Sequence, residues 1–191
     1  MYDPLAVTLP VARYRVTPHG EYAFVRSADV THWGLDMRPD VTHDWCVAPE
    51  HGVVRYVDRD GAGDASPLTN YGPGSLIIEG ALGFSHVLGH LDPATIPDHI
   101  VPGYVVRCGE RVGRIDRGPN HVHWEVRTEL LPPRGAARGR LTWHPLRWLA
   151  MRQLAAGAAT GLALVTLPLV LVVGLGVVAG LASGVTRGEA A

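Results

Sequence analysis

Phenylalanine and cysteine are both scarce, at two residues each in a chain of 191. Cys46 and Cys108 stand far apart and lack the close pairing of a zinc–thiolate site. A disulfide between them is open only to an oxidising setting, and two unpaired buried thiols are the preferred reading. Neither sign of charge dominates, the formal net charge being -1, which excludes a nucleic-acid binder built on bulk electrostatics. Residues 1–10 have neither the basic start nor the apolar core of a signal peptide. Internal repeats are missing too. The most telling absence is at the other end, where no charged residue occurs from Gln153 to Thr186.

That uncharged stretch is almost wholly apolar from Leu154 to Ala182. A helix crosses the hydrocarbon layer with ~20 such residues, so a transmembrane helix is expected over residues 153–184, with a short tail at 185–191. Gly157-x-x-x-Gly161 and Gly176-x-x-x-Gly180 suit close helix packing, and Pro168 is tolerated in such a span. Arg134, Arg138, Arg140, Arg147 and Arg152 precede the span and only Arg187 follows it. By the positive-inside rule the preceding domain is expected on the cytoplasmic side of a cell membrane, an expectation that does not hold for a protein of a virion.

Residues 1–149 are long enough for one domain with its own core. Gly and Pro are frequent, and short apolar runs alternate with turn residues. Short strands are expected at Val11–Val16, Tyr22–Val25, Trp45–Pro49, Val53–Val57, Tyr104–Arg107, Val112–Ile115 and Val122–Arg127. Ser75–Glu79 and Phe84–Leu91 read as a hairpin, and residues of about 130–149 as a linker with a short closing segment at Leu141–Leu146. The pattern predicts an all-β antiparallel sandwich or open barrel with its core at about 15–130, followed by the C-terminal helix.

Ten histidines make chemistry near neutral pH a theme. In His121-Val122-His123-Trp124-Glu125 the residues at i, i+2 and i+4 of a strand share one face. Two imidazoles placed so suit a metal site, one ligating and one working beside it. Upstream, His32 and Asp36 are again an even number apart, with Gly34 permitting a tight backbone between them. A histidine and a carboxylate supply the nitrogen and oxygen donors that zinc accepts.

Taken together these motifs resemble the lysostaphin-type, or LytM-like, zinc endopeptidases that cut bacterial peptidoglycan. The resemblance rests on His32-x-x-x-Asp36, then Leu88-Gly89-His90-Leu91, then His121-Val122-His123, in that order. Lesser marks agree: Val47-Ala48-Pro49 leading to Gly52-Val53-Val54, Gly109-Glu110-Arg111-Val112-Gly113, Trp124-Glu125-Val126 and His144-Pro145-Leu146. It covers roughly residues 15–149. It implies one zinc ion held by His32, Asp36 and His123, with a fourth position open to water. It also implies that His90 and His121 are the catalytic pair, one a base and the other an oxyanion stabiliser. Glu125 is then either a partner orienting a ligand histidine or a solvated strand-end carboxylate. His86 would share a strand face with His90 yet lie about 13 Å away; Leu91 fits the family after His90, so His90 is chosen. His19, His43, His51, His99 and His144 sit in turn or linker contexts and read as solvent-exposed.

Two departures stand out. The approach Gly118-Pro119-Asn120 to the His-x-His is short, and Tyr71-Gly72-Pro73-Gly74 replaces the family's Tyr-Gly-Asn turn. The implied partners are a peptidoglycan peptide as substrate, a lipid membrane for the C-terminal helix, and envelope or virion proteins, as for a phage enzyme that opens a wall. The alternative is a non-catalytic LytM-like module that binds or organises such partners.

Overall fold

The computed structural model describes residues 6–27, 30–61, 72–80, 82–128 and 142–159. Residues 1–156 form one compact unit and residues 157–191 another. The strands are β1 (Tyr14–Val16), β2 (Phe24–Ser27), β3 (Val30–His32), β4 (Leu35–Pro39), β5 (Trp45–Val47), β6 (Gly52–Asp58) and β7 (Ser75–Gly80). They continue with β8 (Ser85–Gly89), β9 (Leu91–Asp92), β10 (Val105–Val106), β11 (Arg111–Ile115), β12 (Val122–Arg127) and β13 (Thr142–Trp143), and the helix α1 covers Pro145–Ala159.

The main sheet runs β1-β4-β12-β8-β7-β6-β10, with β13 added beside β12. Its pairs are antiparallel, as short apolar runs joined by Gly-rich turns dictate. Separate ladders join β5-β11-β9 and β2-β3. The expected all-β antiparallel core is therefore present, with one helix appended.

Strand β12 is the keystone. It lies between β4 and β8, and all six of its residues are buried. Val122, Trp124 and Val126 point into the main core with Met37, Leu76, Leu88 and Trp148. Burying each such side chain contributes roughly 1.5–3 kcal/mol. His123, Glu125 and Arg127 fall on the alternate face, so this central strand carries polar groups that its neighbours must satisfy.

Helix α1 begins inside the stretch that reads as a linker in the sequence. Pro145 takes the first helical position, where its missing N–H is no loss. The ring Nδ1 of His144 accepts the Leu146 N–H at 3.2 Å and so caps the helix start. Trp148 and Arg152 are buried, at 0% and 2% exposure. Arg152 donates to Glu50 at 3.1 Å, Glu50 accepts from His86 at 2.7 Å, and His86 accepts from Trp124 at 3.2 Å. The helix is thus bolted to the core through a buried polar chain. Among the described residues no helix is long and apolar enough to cross a membrane. The span expected over 153–184 lies outside the described residues from position 160 onward.

Candidate metal centre

The centre forms where β3, β4 and β12 meet. His123 stands directly opposite Asp36 in the β12–β4 register, and His32 ends β3 just before the bend into β4. Gly34 sits at that bend because the imidazole of His123 lies against it. A Cβ there would be 2.3 Å from His123 Cε1, so no other residue leaves room for the ring.

Three donor atoms converge. His32 Nε2 is 3.0 Å from Asp36 Oδ1 and 2.9 Å from His123 Nδ1, and His123 Nδ1 is 2.9 Å from Asp36 Oδ1. All three residues are buried. His32 Nδ1 faces the Glu21 carbonyl oxygen at 3.0 Å. A carbonyl can only accept, so this nitrogen carries the proton and Nε2 presents a lone pair to the centre. His32 Nε2 and Asp36 Oδ1 are therefore two acceptors side by side, with His123 Nδ1 closing the triangle. A proton on His123 Nδ1 can only be shared between them, whereas a dication bonds to all three. The triangle's edges are a little under the ~3.3 Å expected for a tetrahedron with ~2.0 Å bonds, a small adjustment for zinc. The far nitrogens of both histidines face oxygen acceptors, Glu21 O and Glu125 Oε2, the second at 3.6 Å. Zinc-binding histidines are oriented in this way. The residues present fit the ion.

Electrostatics agree. Burial alone would raise the Asp36 pKa, but its contacts with His123 and His32 outweigh it and hold the carboxyl far below the usual range. Burial would lower His123, and its contacts with Asp36 and Glu125 reverse that and raise it. His90 is lowered to about 4, first by burial and then by repulsion from His121 and His123.

His90 and His121 flank the triangle. Their ring centroids are 4.9 Å apart, and His90 is 6.4 Å from His123. His121 Nδ1 donates to Pro119 O at 2.8 Å, leaving Nε2 as an acceptor 3.5 Å from Asp36 Oδ2. His90 follows the last residue of β8 and has a φ of 65°. This left-handed turn breaks strand alternation and swings the ring to the His123 side of the sheet. His86 therefore does not share its face, as simple alternation predicts; it lies at 0% exposure on the core side against Trp124 and Trp148.

Glu125 is fully buried rather than solvated, and it is bound by the equally buried Arg127 through contacts of 2.9 and 3.3 Å. Reading the sequence only as far as Glu125 misses Arg127, although the same two-residue step from His121 reaches it. His51, expected at the surface, is buried, and its Nδ1 accepts the Cys108 N–H at 3.2 Å. His43 and His144 are half-buried, and His19 and His99 are exposed as expected. Cys46 and Cys108 are free thiols, and desolvation pushes the pKa of the buried Cys46 up.

No family model matches this sequence, and no curated protein matches it. Solved structures do. Lysostaphin in solution is 14% identical with a TM-score of 0.52, over 77% of this chain and 56% of that one. The catalytic domain of the antimicrobial peptidase lysostaphin from Staphylococcus simulans is 14% identical with a TM-score of 0.51, over 72% of this chain and 92% of that one. A chain of the SpoIIIAH and SpoIIQ complex is 18% identical with a TM-score of 0.50, over 75% of this chain and 99% of that one. The chain spans about half the length of the first solved structures it matches, from 42% to 56%. It has the fold of the lysostaphin-type, or LytM-like, peptidases.

Proposed function

We propose that this chain is a zinc endopeptidase that hydrolyses peptide bonds of bacterial peptidoglycan, tethered to an envelope or virion membrane by its apolar C-terminal run. The observation that carries the reading is the buried triangle of His32, Asp36 and His123 with His90 and His121 beside it. Lysostaphin, whose fold the chain shares, is an antimicrobial peptidase.

When bound, zinc lowers the pKa of water and polarises a carbonyl. The remaining work falls to the chain's own groups. Pro119 O fixes the proton of His121 on Nδ1, so Nε2 faces the centre as a base able to take a proton from an attacking water. His90, with its pKa near 4, is neutral at pH 7 and carries one N–H suited to donate to a developing oxyanion. Its half-buried place beside His121 puts both groups on one side of the ligand triangle.

The full chain in detergent, supplied with zinc, is expected to hold about one ion and to release peptide fragments from purified peptidoglycan, read by mass analysis. His123→Ala should lose both. A wild type that takes up no zinc rules the enzyme out. A wild type that holds zinc and cuts no wall preparation favours a module that binds envelope or virion partners, a reading to which the shared fold with a chain of the SpoIIIAH and SpoIIQ complex lends a precedent.

A further inference from the structure

The polar face of β12 continues past the ligand. His123, Glu125 and Arg127 follow at two-residue steps, with exposures of 5%, 0% and 2%. Opposite Glu125 in β8 stands Val87, fully buried, so the neighbouring strand brings an apolar side chain to this carboxylate. Arg127 Nε donates to Oε1 at 2.9 Å and Nη2 to Oε2 at 3.3 Å. Oε2 also faces His123 Nε2 at 3.6 Å.

We propose that Arg127 is a positioning residue for the metal centre, its guanidinium fixing the Glu125 carboxylate, which in turn fixes the plane of the His123 ring. The role rests on the zinc reading above. A carboxylate buried at 0% exposure needs its charge compensated. The planar fork of arginine does more than compensate, because it engages both oxygens and so sets the plane of the carboxylate. A carboxylate fixed in that plane gives the Nε2–H of His123 one direction, and the ring then turns Nδ1 toward His32 and Asp36. Lysine supplies the charge as a point and leaves the plane free.

The test uses zinc itself on the full chain in detergent. Zinc affinity is measured by chelator competition, and the His123 Nε2–H of the zinc-loaded chain by nitrogen-edited NMR. Arg127→Gln is expected to weaken zinc binding about 10- to 100-fold and to lose the slowly exchanging, low-field Nε2–H signal. Arg127→Lys should recover part of the affinity. In a Glu125→Gln background Arg127→Gln should add little, because both act through one contact. If Arg127→Gln alone does not fold, the double variant removes both charges together, and it should fold with zinc binding still weakened. The proposal is overturned if a folded variant, single or double, binds zinc within about twofold of wild type with the Nε2–H signal intact. It is also overturned if the two substitutions weaken zinc independently. A wild type that takes up no zinc removes the zinc reading and this role together, whereas an unaffected variant beside a zinc-binding wild type removes this role alone.

Discussion

Single residues in this protein do work that their type alone does not announce. Of ten histidines, His32 and His123 face an acidic oxygen within a buried triangle, His86 is locked in the core, and His144 caps a helix. His90 has an environment that makes a clear statement about pH. Its folded-state pKa of about 4 lies below the ordinary 6.5, so the folded chain binds fewer protons than the unfolded chain between those values. Above that window His90 is neutral in both states and contributes nothing. As pH falls from about 6.5 to about 4, protonation favours the unfolded chain and stability is lost. His90→Asn, which keeps a residue tolerant of positive φ, is expected to remove on the order of 2 kcal/mol of that acid loss. Chemical denaturation of both chains without zinc, at pH 7 and pH 4.5, measures it; equal losses in the two would place the acid sensitivity in other groups.

At the scale of elements, β12 and α1 carry the structure. Strand β12 reads from the sequence as a plain alternation, and alternation is enough to put His123 and Glu125 on one face. The helix is less legible. Its first turns follow an Arg- and Gly-rich stretch, and its sequence merges into the apolar run, so no change of hydrophobic period marks where the domain ends. What anchors it is Arg152, whose partner Glu50 is 102 residues away. Arg152→Ala leaves a buried carboxylate with one neutral partner, His86, and is expected to destabilise the folded unit by about 3–5 kcal/mol. A fall in the denaturant midpoint without a change in slope would show it, and a loss under 1 kcal/mol would mean that the apolar packing of Leu146, Trp148 and Leu149 holds the helix without it.

For the whole molecule, a β-domain and an apolar C-terminal run make a simple joint forecast. If residues 153–184 span a bilayer, the full chain stays with membranes through alkaline carbonate washing and leaves only with detergent, while a chain ending at residue 159 does not pellet. Release of the full chain by carbonate would refute the span. Ending the shorter chain at 149 instead would confuse the result, since it would delete Arg152 and expose the Glu50 site.

Much of the candidate centre was legible because His32, Asp36, His90, His121 and His123 lie in short motifs that resemble those of one family, while alternation by itself grouped only neighbours such as His123 and Glu125. The sequence also determined the antiparallel β class, since closely spaced Gly and Pro leave room only for short strands. Tertiary structure alone decided the rest. The positive φ at His90 moved that ring to the metal side and left His86 behind in the core. Pairing of β12 with β8 enclosed Glu125 and Arg127 together, so that a pair two residues apart on one strand became a buried one. Packing of α1 against Glu50 extended the folded unit beyond the stretch that reads as a linker. These outcomes depend on which distant groups share a buried, poorly solvated space. There an unpaired charge costs several kcal/mol, and its partner is chosen by proximity in space, not by spacing along the chain.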